Sequence, residues 1–196
     1  WWLYKTGNPL EYFSELFIAR LAEKLGFPMA RYELHENYVR TLDFTNGNQF
    51  NFESAESFVG DNEFYDVNFE KFYSISKDIA ADYLRMIYLD TICCNVDRHT
   101  KNYGVLRDIN SGAIISLAPN YDNNIALISR GYPKSTNRAN DKLIDFFLDL
   151  LREVPKATEL FSELEIPVIT VDMINECIDE VGIDVEREII IDYILN

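Results

Sequence analysis

A polar segment, residues 95–104, lies between a long apolar stretch and a short hairpin, and it constrains the chain more than any other feature. The stretch before it, from about residue 68 to residue 94, lacks Gly and Pro and repeats apolar side chains at helical spacing: Ile75, Ile79, Tyr83, Met86 and Ile87. After it, two short β-type segments flank the turn Asn110-Ser111-Gly112. The sequence therefore predicts a helix leading into the loop and a hairpin leading out of it.

The loop and the end of the hairpin carry side chains suited to phosphoryl transfer. Asp97 precedes Asn102 by five residues, so one loop presents a carboxylate and an amide to the same place. The hairpin ends at residues 118–122, where Asp122 brings a second carboxylate back towards the loop. Phosphoryl transfer needs a carboxylate that orients the attacking hydroxyl, oxygen ligands for magnesium and a cation on the phosphates. The spacing therefore favours a phosphotransferase.

These two motifs carry a family resemblance. N-x-D-R-H-x-x-N-Y-G at residues 95–104, followed by A-P-x-Y-D at residues 118–122, resembles the signature of HipA-like serine/threonine kinases, a toxin-related bacterial group. The resemblance extends forward to Lys5 and so covers most of the chain. It implies transfer of the γ-phosphoryl group to a Ser or Thr hydroxyl, with ATP and Mg²⁺ as cofactors, in a toxin-type kinase.

The resemblance also implies roles for single residues. Asp97 would be the catalytic base, Asn102 and Asp122 the magnesium ligands, and Lys5 the contact to the phosphates. Glu15 is expected to pair with Lys5, because it lies on a partly apolar helix face where a carboxylate favours a nearby cation.

Three further residues complete the predicted site. His99 and Lys101 lie within the loop and are expected on the side of the γ-phosphate or the nucleophile. The region around Glu53 is expected to be the hinge that meets adenine through backbone groups.

The predicted fold is α+β, a protein-kinase-like bilobal fold with a truncated β-rich N-lobe and a predominantly helical C-lobe. Residues 1–65 are predicted as a partial N-lobe, with a lysine-bearing strand, a helix from Asn8-Pro9 to about Leu25, and a small antiparallel sheet. Its further strands are expected near residues 30–34, 38–42 and 49–52, with Asn46-Gly47 as a hairpin turn between the last two.

Residues 66–196 are predicted as the helical C-lobe with the catalytic loop and the metal-binding hairpin. Its closing helices are expected near residues 141–153, 156–164, 171–181 and 185–195. In the family that the motifs resemble, a phosphate-binding loop precedes the lysine strand, whereas four residues precede Lys5. That loop is therefore expected from an upstream segment or from a separate N-lobe partner chain.

Composition excludes several classes of protein. The net charge of −15 makes the surface repel phosphate backbones, so direct nucleic-acid binding is not expected. No apolar run reaches the roughly 18 residues of a membrane span, so no membrane association is expected. Cys93, Cys94 and Cys177 fit neither a disulfide framework nor zinc-ligand spacing. The sequence thus favours a cytoplasmic protein with reduced thiols.

The expected partners are a protein substrate that bears Ser or Thr and, by analogy with the toxin group, an antitoxin-like protein. Two alternatives stay open. The Asp-Arg-His-x-x-Asn sequence is also similar to the loop of phosphatidylinositol kinases, which favours a lipid or small-molecule kinase, although lipid substrates usually call for a basic surface. The lack of a phosphate-binding loop before Lys5 favours a non-catalytic module or one half of a split kinase.

Overall fold

The computed structural model describes residues 1–62 and 64–196, and this part of the chain contains six strands and eight helices. The strands are β1 (Trp2–Lys5), β2 (Tyr32–His35), β3 (Tyr38–Leu42), β4 (Phe50–Ser54), β5 (Gly104–Asp108) and β6 (Ile114–Leu117). The helices are α1 (Pro9–Leu25), α2 (Glu56–Val59), α3 (Tyr65–Ile75), α4 (Lys77–Cys93), α5 (Lys142–Glu153), α6 (Pro155–Ser162), α7 (Val171–Val181) and α8 (Arg187–Leu195). The four closing helices agree with the predicted ranges to within two residues.

The first sheet has the strand order β1-β3-β2 and is antiparallel throughout. Helix α1 packs on it and begins as predicted, because the Asn8 side chain accepts from the backbone of Glu11 and the Glu11 side chain accepts from the backbone of Asn8. The helix ends at Gly26, whose φ of 71° is the left-handed conformation that glycine adopts at no steric cost. This sheet and helix place Lys5 at the end of β1 opposite the inner face of α1.

The expected hairpin between the second and third strands after α1 is wrong. β4 does not pair with β3; it pairs antiparallel with β5 in a second sheet of order β4-β5-β6. The chain turns away after β3 because the Asp43 carboxylate accepts from the backbone and hydroxyl of Thr45, and residues 46–48 all have positive φ. Asn46-Gly47 therefore forms part of a longer loop and not a two-residue hairpin turn, and this loop leads β4 away from β3.

The single helix expected up to residue 94 is also wrong, because it is two helices. Ser76 has an extended backbone, with φ −161° and ψ 143°, and so separates α3 from α4. Its side chain accepts from the backbone of Asp78, which caps the start of α4. Apolar spacing continues across the break, and for that reason periodicity did not reveal it.

Two apolar cores support the molecule. α1 shares one core with α7 and α8, while α3, α4, α5 and α6 share the other with β5 and β6. The proposed boundary at residue 65 stays a prediction, and both α1 and β4 contact elements from the other side of it. Over the described residues, no helix is long and apolar enough to cross a bilayer.

Gly104, at the start of β5, is required for the close approach of β4. A Cβ atom at this position would lie 2.1 Å from the carbonyl oxygen of Glu53, which is a backbone atom and cannot swing away. We expect Gly104→Ala to lower the free energy of unfolding by about 3 kcal/mol, measured by urea denaturation. Gly112→Ala is the control, because its Cβ would meet open space and only its φ of 69° is unfavourable, at about 1–2 kcal/mol. Equal losses for the two variants would contradict this account.

Candidate active site

The loop after α4 is held by its own hydrogen bonds. Cys94 ends the helix in the left-handed conformation, with φ 51°, and the backbone N–H of Asn95 donates to the carbonyl of Asp90 at 2.8 Å. The Asn95 side chain accepts from the backbone N–H of Asp97 at 3.2 Å. The Asn102 side chain donates to the carbonyl of Asp97 at 2.6 Å, so both ends of the predicted motif are joined directly.

The guanidinium of Arg98 lies at the centre of this region. Its side chain is 3% exposed and forms a two-pronged ion pair with Asp90, at 2.8 Å from Nε and 2.9 Å from Nη2. Nη2 also lies 2.7 Å from the Oδ1 atom of Asn120 and 2.6 Å from that of Asn123. Burial opposes the charged form of Arg98, but Asp90 outweighs it, so the pKa of Arg98 is raised. Arg98 therefore stays a cation that links α4, through Asp90, to residues 120–123.

The same guanidinium ties the loop to the segment that carries Asp122. Nη1 of Arg98 donates to the carbonyl of Asn102 at 3.1 Å and to the carbonyl of Tyr121 at 2.7 Å. Asn102 and the residue before Asp122 are thus fixed to one nitrogen atom. Arg98, which was not among the predicted site residues, therefore links the backbone of one predicted magnesium ligand to the residue before the other.

Lys5 joins the first sheet to this segment. Its amine lies 3.0 Å from Oε2 of Glu15 and 2.6 Å from Oδ1 of Asp122. The other carboxylate oxygen of Glu15 accepts from the backbone N–H of Asn123 at 3.0 Å, and the Tyr32 hydroxyl accepts from the backbone N–H of Asp122 at the same distance. The structure therefore places Lys5 and Glu15 together, as the sequence predicts, and adds Asp122 to the pair.

Burial and charge act on the groups of this cluster in opposite directions. Burial disfavours the charged form of Lys5, but the carboxylates of Glu15 and Asp122 outweigh it, so the pKa of Lys5 is raised. Burial, helped by the negative charge of Glu15, raises the pKa of Tyr32 well above its usual value, so its hydroxyl stays neutral. Lys5 therefore stays a cation at neutral pH.

The amide of Asn102 fits a metal ligand. Asn102 is 3% exposed, and its side-chain oxygen has no hydrogen-bond partner within the described residues, whereas its side-chain nitrogen is bonded. A buried acceptor without a partner is costly, and a cation would satisfy it. Asp122 has the left-handed φ of 62°, a conformation that Asp adopts more readily than most non-glycine residues. No group of three or more His, Cys, Asp or Glu side chains in residues 1–62 and 64–196 could hold a metal, so the fit concerns one amide and one carboxylate.

Asp97 lies apart from the ion pairs, at the wall of a cavity of about 430 Å³. Its side chain is exposed, and its carboxylate accepts no hydrogen bond from any residue that the structure describes. His99, Lys142 and Phe146 line the same cavity. An exposed carboxylate on a fixed loop can accept a hydrogen bond from an incoming hydroxyl group.

The remaining predicted residues occupy other positions. The Nδ1 atom of His99 accepts from the backbone N–H of Lys101 at 3.3 Å, and the Lys101 amine lies 3.4 Å from a carboxylate oxygen of Glu56. Glu53 forms an ion pair with Arg107 across β4 and β5 and does not join the cluster around Lys5.

Sequence reasoning missed Arg98, Asp90 and Tyr32 as parts of this site. Arg98 stands inside the motif, and Asp90 is an acidic residue within a mostly apolar helix, which is a signal for a buried ion pair. Nothing in the sequence distinguishes Tyr32 from an ordinary strand tyrosine, because its partner is the backbone of a residue 90 positions away.

Comparisons with known proteins identify the fold and the family of this chain. The fold is similar to that of the proinflammatory kinase CtkA of Helicobacter pylori, with a TM-score of 0.57 and 18% identity over 98% of this chain and 89% of that one. The fold is therefore kinase-like. The sequence matches the HipA-like C-terminal domain over residues 1–184, and the chain belongs to that family. The predicted family and fold class are therefore confirmed.

A second similar structure is HipA of Shewanella oneidensis MR-1, solved with HipB and operator DNA as a toxin–antitoxin system. Its TM-score is 0.45 at 14% identity, over 87% of this chain and 54% of that one. Among curated protein sequences, none is similar enough to count as a relative.

The ion pair between Arg98 and Asp90 should dominate the stability of the loop. Asp90→Asn keeps the shape of the side chain but leaves a buried guanidinium without its counter-charge, so we expect a loss of about 3–5 kcal/mol in the free energy of unfolding. Asp82→Asn is the matched control, because Asp82 pairs with Arg85 at 2.7 Å and both side chains are partly exposed. This substitution should lower the free energy of unfolding by less than about 1 kcal/mol. Urea denaturation of both variants measures the difference, and similar losses would count against a central role for Arg98.

Proposed function

We propose that the chain is the catalytic part of a magnesium-dependent protein kinase that transfers the γ-phosphoryl group of ATP to a Ser or Thr hydroxyl. The observation that carries the proposal is the attachment of both Asn102 and Tyr121 to one nitrogen of Arg98, which keeps the loop of Asp97 beside Asp122. Phosphoryl transfer depends mostly on such positioning and on charge, with little covalent chemistry left to the protein.

Asp97 is proposed to orient the substrate hydroxyl. Its exposed carboxylate faces a cavity large enough for a side chain, and no described residue competes for it. The bond from the Asn102 amide to the Asp97 carbonyl fixes the backbone beneath it at 2.6 Å. The carboxylate would therefore accept the hydroxyl proton from a defined position.

Asn102 and Asp122 are proposed to hold magnesium, and Lys5 to contact the phosphates. The unpartnered oxygen of Asn102 and the carboxylate of Asp122 are the hard oxygen donors that magnesium prefers. When bound, magnesium would supply positive charge that offsets the charge of the transferring group. The amine of Lys5, held by Glu15 at 3.0 Å, would then exchange its contact with Asp122 for a phosphate oxygen.

The Ser/Thr specificity, the toxin-type role and an antitoxin-like partner are parts of the same proposal and derive from the family resemblance. His99 and Lys101 are proposed to lie on the nucleophile side, because both belong to the loop that carries Asp97. The Glu53 side chain has a structural role, since its carboxylate binds Arg107 and accepts a hydrogen bond from the Ser57 hydroxyl. Any contact of this strand with adenine would come from its backbone.

Loss of the Asp97 carboxylate should strongly slow phosphoryl transfer. We expect Asp97→Asn in the intact protein to slow phosphorylation of a Ser/Thr peptide by about 10²–10⁴-fold, because general-base contributions have that size. Asp108→Asn is the control, since Asp108 caps an exposed turn through Ser111 and should leave the rate unchanged. Radiolabelled ATP measures both rates, and equal labelling by wild type and Asp97→Asn would contradict the proposal. Labelling of vesicle lipid in place of peptide would favour the lipid-kinase alternative.

Binding of Mg²⁺ and ATP should depend on Asp122. At 100 times the dissociation constant a ligand stabilises a protein by about 2.7 kcal/mol, so wild type should melt at a clearly higher temperature with Mg²⁺ and ATP together than with ATP and EDTA. Asp122→Asn should lose most of this magnesium-dependent increment, whatever its baseline melting temperature, whereas Asp108→Asn should keep it. A wild type without any increment would favour the non-catalytic alternative.

A further inference from the structure

A groove with an apolar floor lies beside the catalytic loop, between α3 and α5. It encloses about 710 Å³. Tyr65, Phe146 and Leu150 line its floor, and the rings of Tyr65 and Phe146 meet edge to face with centroids 6.3 Å apart. Phe146 is 54% exposed and Phe64, which also lines the groove, is exposed as well, so the groove presents two neighbouring apolar rings to solvent.

The groove adjoins the cavity of Asp97. Tyr65 and Phe146 line both spaces, so they form a shared wall. An extended segment whose acceptor hydroxyl lies at Asp97 would therefore pass into the groove with its neighbouring residues. The groove therefore lies next to the place where the acceptor hydroxyl would bind.

The lining of the groove is strongly acidic. Asp61, Asp66, Asp149 and Glu153 line it, and no Lys or Arg side chain is among its described lining residues. Asp149 pairs with Arg152 at 2.9 Å, but both side chains are largely exposed, and such pairs are weak and screened. Asp66 and Glu153 form no ion pair with any residue that the structure describes. The carboxylates therefore favour a positively charged occupant.

The carboxylates of the groove do not form a metal site, since no cluster of metal-ligating side chains occurs in the described residues. They would repel an anionic membrane or a nucleic acid. A peptide with basic and apolar side chains fits both the carboxylates and the aromatic side chains that line the groove.

We propose that this groove binds the part of the protein substrate next to the phosphorylated Ser or Thr, and that this part carries Lys or Arg together with apolar residues. The inference rests on the proposed kinase function and adds the class of substrate to it. Basic side chains would lie at Asp66 and Glu153, and an apolar side chain would pack on Phe146.

Peptide binding tests the inference without requiring catalysis. The probes are two fluorescein-labelled peptides with the same Ser and Leu residues, one with Arg and the other with Asp at the remaining positions. Fluorescence anisotropy should show that the intact protein binds the Arg peptide at least about tenfold more tightly than the Asp peptide, and that added salt weakens this binding. The double variant Asp66→Asn/Glu153→Gln should lower the affinity for the Arg peptide about tenfold.

The control is Glu188→Gln/Asp192→Asn, which removes the same two charges from the exposed face of α8, away from the groove. It should keep the affinity for the Arg peptide. Equal loss in both double variants would overturn the inference, because it would show a response to net charge alone. Equal affinity of the wild type for the two peptides would overturn it as well.

A kinase assay with the same peptides separates this inference from the proposed function. The expected result is a higher KM for the Arg peptide in Asp66→Asn/Glu153→Gln, with an unchanged KM for ATP. If the wild type phosphorylates both peptides with equal KM, the kinase function is supported and the proposed role of the groove in substrate binding is contradicted. If the Arg peptide binds tightly, loses affinity in Asp66→Asn/Glu153→Gln and is not phosphorylated, peptide binding by the groove is supported and the kinase function is contradicted.

Discussion

The buried guanidinium of Arg98 is the interaction on which the candidate site depends. It faces six acceptor oxygens with five N–H donors, and these acceptors come from α4, from the loop itself and from residues 120–123. Asp90 neutralises its charge, so the cost of burial is offset by an ion pair with hydrogen bonds on every side. A lysine could not replace it, because a single ammonium offers three donors and no planar fork.

Arg98 holds the catalytic loop in place. On the other side of the site, Lys5 forms ion pairs with Glu15 and Asp122. Glu15 is 1% exposed and uses one oxygen for Lys5 and the other for the backbone of Asn123. Because α1 shares a core with α7 and α8, the helix that carries Glu15 is anchored to the C-terminal end of the chain. The position of Lys5 is therefore set both by the first sheet and by packing far from it in sequence.

Local sequence patterns predicted most of the helices and the loop that carries Asp97 and Asn102. Other features of the fold and the site depend on contacts between segments that are distant in sequence. Asp97 and Asn102 share one short loop, so their proximity follows from five residues of chain. The partner of β4 could not be predicted, because β4 pairs with β5, which is distant from it in sequence. The break at Ser76 was hidden by apolar spacing that runs through it, and the contact of Tyr32 with Asp122 joins two distant segments.

The most direct measurement is a crystal structure of the intact protein with Mg²⁺ and a non-hydrolysable ATP analogue. We expect a metal ion within about 2.0–2.1 Å of the side-chain oxygens of Asn102 and Asp122, the distance that magnesium requires. We also expect the Lys5 amine to have moved from Asp122 to a phosphate oxygen while keeping its contact with Glu15. Phosphates and metal bound away from Asn102 and Asp122, with Lys5 still paired to Asp122, would contradict the proposed function.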